Sequence, residues 1–205
     1  MRNILLIILV ASLLPVNAQD LRMKKSRSGI FSLGARASYG LVNDGKWQKP
    51  AFGAGGQFRL QFSDRVNTEW FLDYLTADLS DFGWRADTHI GWSVMYYLVK
   101  NPEPKVQPYI LAGHCFEYLK FTDNKTSSNF AGRWSASVQG GIGTHFNITK
   151  RFDISATAQY MVHFGTKIIA RNDDSGTTFT KEKGSGIHDH ILLHVSLNYK
   201  IADLW

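Results

Sequence analysis

The segments His188-Asp189-His190 and His194-Val195-Ser196 are the most chemically suggestive in the sequence. A serine two residues from an imidazole could act as a nucleophile, with His194 as base and Ser196 as attacking group, if an acid oriented the ring. His188 and His190 could ligate a metal ion from a loop edge, but two imidazoles need further ligands to hold it. The plain alternative for all four is a polar role in a scaffold. Weighed that way, the sequence assigns no catalytic, metal or cofactor site, and enzymatic activity is not expected. A second set is charged: Arg36, Arg59, Arg85 and Lys200 against Glu69, Asp73, Asp87 and Asp153. Their signs balance, as a buried ion-pair network requires.

The elements that must carry these residues follow a period of two. Eight runs alternate: 31–41, 52–62, 67–75, 84–98, 108–120, 134–146, 153–164 and 191–201. In the first, Phe31, Leu33, Ala35, Ala37, Tyr39 and Leu41 oppose Ser32, Gly34, Arg36, Ser38 and Gly40. In the last, Ile191, Leu193, Val195, Leu197, Tyr199 and Ile201 oppose Leu192, His194, Ser196, Asn198 and Lys200. Seven of the eight runs carry no charge on the apolar parity. Run 108–120 is the untidy one, with both parities mixed. Helical spacing would scatter Arg36, Arg59 and Asp87 among apolar neighbours, so strands are expected. All eight network charges share the polar parity, as do His89, His145, His163, His194 and Ser196. Residues 53–76 and 139–162 echo each other at an offset of 86, matching Gly55 with Gly141, Arg65 with Arg151 and Tyr74 with Tyr160. Two equivalent strand–turn–strand hairpins are expected there.

Connections alternate in length. Residues 63–66, 99–107 and 147–152 read as short turns; 42–51, 77–83, 121–133 and 165–190 read as long loops. Strands of this length, with short links at one end and long links at the other, make an up-and-down membrane barrel. The loops hold Lys46, Trp47, Lys49, Lys125, Arg133, Lys167, Arg171, Asp173, Asp174, Lys181, Glu182 and Lys183, and the charged ones could meet lipopolysaccharide phosphates or an extracellular partner.

Composition narrows the class. The chain has 205 residues, 44% hydrophobic and 13% aromatic, too apolar and aromatic for disorder. A mean hydropathy of −0.19 argues against a bundle of membrane helices. The single cysteine, Cys115, excludes a disulfide framework and a cysteine-rich zinc site. The net charge is +6, but its Lys and Arg form no patch, so nucleic acid is not an expected partner. Residues 1–18 read as a cleaved signal peptide: Arg2, the apolar stretch 4–14, then Pro15-Val16-Asn17-Ala18. Residues 19–29 form a polar, basic tail, and 30–205 the barrel domain.

Alternation alone does not say which face meets water. The polar parity is rich in Gly, Ser and Gln and poor in Lys and Glu, which suits a cramped interior better than a wet surface. Aromatics such as Phe31, Tyr39, Phe52, Phe62, Trp84, Tyr96, Trp134, Phe146, Phe164 and Tyr199 sit near run ends, as in interfacial girdles. Trp205 follows the last run directly. In these features the chain resembles the small outer-membrane β-barrels of Gram-negative bacteria: the OmpA transmembrane domain, OmpX and the broad outer membrane protein beta-barrel domain group. The resemblance implies an all-β, eight-stranded antiparallel barrel in the outer membrane, with lipid and lipopolysaccharide as surroundings. Because the chain ends at Trp205, the peptidoglycan-binding role of OmpA is not expected. The resulting expectation is a structural or surface-interaction protein acting through its extracellular loops, its lumen plugged by polar side chains. Two alternatives stay open. One is a lipid A-modifying enzyme, although the inward parity of His194 and Ser196 argues against a lipid-facing site. The other is a soluble periplasmic lipocalin-like barrel. For the lumen, adjacency of strands predicts Arg59 near Glu69 or Asp73, and Arg85 near Asp73.

Overall fold

The computed structural model describes residues 28–42, 49–80, 83–101, 104–166, 168–173, 176–181 and 186–205. The expected signal peptide, most of the expected polar tail, and the loop residues Lys46, Trp47, Lys167, Asp174, Glu182 and Lys183 lie outside them. Among the described residues ten strands form, in chain order: β1 (Ile30–Val42), β2 (Ala51–Gln61), β3 (Val66–Asp78), β4 (Trp84–Tyr97), β5 (Val106–Thr122), β6 (Phe130–Asn147), β7 (Phe152–Gly165), β8 (Ile168–Asp173), β9 (Gly176–Lys181) and β10 (Gly186–Asp203). Eight close into an antiparallel barrel, β10 pairing with both β7 and β1. The remaining two, β8 and β9, pair only with each other, as a hairpin within the connection from β7 to β10. That connection is therefore not one irregular loop of 165–190. Its stems extend the β7–β10 ladder as far as Gly165 opposite Gly186. Strands β5 and β6 likewise outrun the alternating pattern, pairing up to Thr122 opposite Phe130.

Closure leaves the apolar parity outside. Leu33, Leu72, Ile90, Val138, Ile142, Val195 and Leu197 are all exposed, whereas Ser32, Arg36, Gln57, Asp73, Ser137, Gln159 and Asn198 are buried. Apolar atoms bathed in lipid keep their favourable surroundings, and the polar interior carries the hydrogen bonds. Aromatic rings line the wall near the short turns, where Phe58 stacks on Trp70 at 5.9 Å and Phe62 meets Trp205 at 6.4 Å. Others stand near the long connections, where Tyr39 meets Phe52 at 4.8 Å and Tyr118 meets Trp134 at 5.1 Å. On the inner parity, glycine supplies space. A methyl group on Gly34 or Gly55 would occupy the positions of the Asn198 amide and the Asp73 carboxylate.

The sequence echo corresponds to two matching hairpins. In the β2–β3 turn, Phe62 and Ser63 donate backbone N–H groups to Val66 O, and Ser63 Oγ accepts from the amides of Arg65 and Val66. In the β6–β7 turn, Ile148 and Thr149 donate to Phe152 O, and Thr149 Oγ1 accepts from Arg151 and Phe152. Both arginines donate to a tyrosine hydroxyl on a neighbouring strand, Arg65 to Tyr96 at 2.7 Å and Arg151 to Tyr199 at 3.0 Å.

Strand β5 explains its own untidy pattern. Its inward residues Tyr109, Leu111, Cys115, Leu119 and Phe121 are hydrophobic and buried, and all but Cys115 are large. Two of its outward residues are polar but shielded by rings. His114 lies edge-on to Phe116 at 4.7 Å, and Lys120 Nζ sits 4.6 Å over the Phe130 ring.

Candidate functional site

The inward polar side chains gather in groups at different heights of the barrel. Nearest the short turns, Arg59 Nη2 donates to both oxygens of Asp153, at 2.8 and 2.7 Å. Its Nη1 reaches His145 Nδ1 at 3.0 Å, and Ser155 Oγ lies 2.6 Å from the same nitrogen. Asn198 Nδ2 donates to Asp153 Oδ1 at 3.0 Å, while Gln57 Nε2 donates to Asn198 Oδ1 at 2.6 Å. Lys200 Nζ donates to Asn147 Oδ1 at 2.8 Å. Tyr97 and Tyr109 pack their rings against His145. Arginine cannot shed its proton, so a buried guanidinium needs such a carboxylate.

Higher up, Arg36 spans two acids. Its Nη1 donates to Glu69 Oε1 at 3.1 Å, and its Nη2 lies 2.9 Å from Asp73 Oδ2. The same guanidinium contacts His194 Nε2 at 2.9 Å and stacks 4.6 Å over Phe71. Above it, Ala51, Phe71, Leu75, Ala77, Cys115, Met161 and Leu192 form a buried apolar cluster.

The third group lies in the strand halves next to the long connections. His89 on β4, Glu117 on β5, His163 on β7 and His190 on β10 are all buried, with one potential ligand atom from each within 4.8 Å of the others. His89 Nε2 is 3.3 Å from Glu117 Oε1, and His163 Nδ1 is 3.3 Å from Glu117 Oε2. The His190 ring lies over both neighbours, 4.5 Å from His163 and 5.5 Å from His89. Ser135 Oγ donates to Glu117 Oε2 at 2.9 Å. Nearby, Arg85 Nε donates to Asp87 Oδ1 at 2.9 Å.

Over the barrel mouth the β8–β9 hairpin is docked. Ile168 packs with Leu79, Leu119 and Phe121, and Phe179 and Ala131 pack against that cluster. Arg133 Nη1 donates to Thr166 O, and Asn129 Nδ2 to Thr177 O, each at 2.6 Å.

Several expectations about individual residues change. Arg59 does stand directly opposite Glu69 in the β2–β3 register, yet its guanidinium crosses to Asp153 on β7. A side chain of that length reaches the far side of a narrow barrel as readily as the adjacent strand. Arg85 pairs with Asp87 rather than Asp73, because the register sets Arg85 opposite Ala77 and leaves Asp73 to Arg36. Arg133 is not a loop charge: it lies on β6, buried, with Nη2 4.0 Å from Glu117 Oε2. His194 and Ser196 face the lumen and have other partners. His194 is engaged by Arg36 and Ser38, and Ser196 Oγ accepts from Gln57 and Asn198. The neighbours His188 and His190 part company, His188 being half-buried while His190 joins the histidine group. The grouping of His89, Glu117 and His163 around it was missed from sequence. The shared inward parity of His89 and His163 was its one available signal, since the mixed parities of β5 could not turn Glu117 inward.

A family described as "Outer membrane protein beta-barrel domain" matches residues 6–181. The chain belongs to this family. It is an outer-membrane protein, which overturns the soluble lipocalin-like alternative and accounts for the exposed apolar wall. Solved structures share the fold. Neisserial surface protein A is 15% identical, with 87% of this chain and 100% of that one covered and a TM-score of 0.59. OprG of Pseudomonas aeruginosa is 14% identical, with coverages of 85% and 96% and a TM-score of 0.57. Ail, the attachment invasion locus protein of Yersinia pestis, is 14% identical, with coverages of 85% and 99% and a TM-score of 0.55. No curated protein sequence matches the chain.

Proposed function

We propose that this outer-membrane barrel is a structural or surface-interaction protein that works through its extracellular connections, its lumen closed by its own side chains. The observation that carries this reading is the docked β8–β9 hairpin. A long connection that folds, packs Ile168 and Phe179 onto the barrel mouth and hydrogen-bonds to Asn129 is a pre-formed platform. Ordering a binding surface beforehand removes an entropic cost from association. The platform and its neighbour loop expose Arg171, Lys181 and Lys125, cations suited to phosphate or sulfate groups. Ail of Yersinia pestis has been solved with the heparin analogue sucrose octasulfate, which supports a polyanionic surface as the partner class. The crossing pairs Arg59–Asp153 and Arg36–Asp73 support the closed lumen.

Two measurements on the folded protein test this. Retention on an immobilised sulfated polysaccharide should be salt-sensitive and fall when 168–181 is replaced by a short Gly-Ser link. Equal retention after replacement would remove the platform role. In planar bilayers the wild type should give no ohmic channel, and a steady single-channel conductance would overturn the closed lumen.

A further inference from the structure

We propose that His89, Glu117, His163 and His190 form a binding site inside the barrel for one divalent transition-metal ion of the Zn(II) type. Three observations carry it. First, four strands deliver four potential ligands to one point, with the candidate atoms within 4.8 Å of one another and every side chain buried. Tetrahedral Zn(II) with bonds of about 2.0–2.1 Å separates its ligand atoms by roughly 3.4 Å, so small ring rotations would close the shell. Second, three ring nitrogens in the group lack a hydrogen-bond partner: His190 Nε2, and the His89 Nδ1 and His163 Nε2 that lie across their rings from the two nitrogens, His89 Nε2 and His163 Nδ1, that are 3.3 Å from Glu117. A buried polar atom without a partner is costly and uncommon, and a metal ion is one natural partner for an imidazole nitrogen. Third, the donor set is three nitrogens and one carboxylate, which suits Zn(II) and its neighbours rather than Ca(II) or Mg(II).

The surroundings fit the same purpose. Ser135 Oγ donates to Glu117 Oε2 at 2.9 Å, and Arg133 Nη2 lies 4.0 Å from that oxygen. The hydroxyl orients the carboxylate, as outer partners of metal ligands do, while the guanidinium at 4.0 Å is a charge contact without a hydrogen bond. Arg85 is neutralised by Asp87, so it does not present an isolated cation to the site. Met161, Leu192 and Cys115 flank the lumen on one side, and the hairpin cluster of Ile168 and Phe121 covers the mouth on the other. A bound ion would cross-link β4, β5, β7 and β10 from within.

The test uses the tag-free exported chain, folded from urea into lipid vesicles with Zn(II) present, so that entry past the hairpin is not limiting. After removal of free metal, the folded barrel should retain one equivalent of Zn(II). Co(II) in its place should give the visible absorption of a four-coordinate ion. His163→Asn combined with His190→Asn should abolish both signals. His145→Asn and His114→Asn, which alter histidines outside the group, should keep them. Ser135→Ala, a change to a positioning residue, should weaken binding about ten-fold. If the double variant does not reach the heat-modifiable folded form, the near-isosteric Glu117→Gln replaces it, with loss of the Co(II) spectrum as the expected result. A folded wild type that retains no Zn(II), or a folded ligand variant (His163→Asn with His190→Asn, or Glu117→Gln) that retains as much as wild type, overturns the proposal and leaves the cluster a hydrogen-bonded network.

Discussion

The two ends of the barrel interior solve the problem of buried polarity differently. Near the short turns, the Arg59 guanidinium is matched by the Asp153 carboxylate, with Asn198, Ser155 and His145 completing the bonds. Near the long connections, one carboxylate, Glu117, stands among three imidazoles, and ring nitrogens remain without partners. The difference follows from side-chain chemistry. A guanidinium is charged under all relevant conditions and must be paired where it is buried. An imidazole can stay neutral, so a cluster of them survives without full pairing and keeps capacity for a ligand. The first region is built to be finished by the protein alone, the second to accept something more.

The contrast can be broken or sharpened by substitution, read as the urea midpoint of the metal-free barrel in vesicles unless stated otherwise. Asp153→Ala strands Arg59 in the interior and should cost about 3–5 kcal/mol, the largest effect. A loss well under that range would mean water reaches the lower group. Glu117→Ala removes the acceptor for Ser135 and the carboxylate 4.0 Å from Arg133 Nη2, a guanidinium that keeps its bond to Thr166 O. It should cost about 1–3 kcal/mol, and a loss equal to that of Asp153→Ala would erase the distinction. Phe179→Ala loosens the hairpin from Phe121 and should lower its local opening free energy by roughly 1 kcal/mol. Limited proteolysis would then cut within 166–185 faster, with the barrel midpoint unmoved. His190→Asn should shift the midpoint less than Glu117→Ala, by under about 1 kcal/mol, because its Nε2 has no hydrogen bond to lose.

The hairpin pairs sharpen the account of what a sequence can encode locally. Ser63 and Thr149 each cap a four-residue turn, and Arg65 and Arg151 each reach across to a tyrosine. The hydroxyl contacts span two or three residues, so they repeat with the local sequence, whereas each arginine–tyrosine contact needs the neighbouring strand in place. Strand β5 marks the opposite case. Its inward Tyr109, Leu111 and Phe121 meet other apolar lumen residues and the hairpin cap, so its two faces differ little in polarity and alternation cannot orient it.

By itself the sequence determined the eight barrel strands, the inward parity of all but β5 and the alternation of short and long links. The strands rest on their two-residue period, which needs no knowledge of neighbours, and the inward parity on the small polar residues that fill a narrow interior. It also delivered the inward residues of the lumen, including Arg36, Arg59, Glu69, Asp73 and Asp153. Only the tertiary structure decided which of them touch. Around a closed ring, inward side chains from strands far apart in sequence meet across the axis, so Arg59 finds Asp153 and His89 finds His190. Those encounters depend on register and on the barrel's narrow bore, which are properties of the whole ring. The β8–β9 hairpin belongs to the same class, because its short strands hold their place through packing on Leu119 and Phe121.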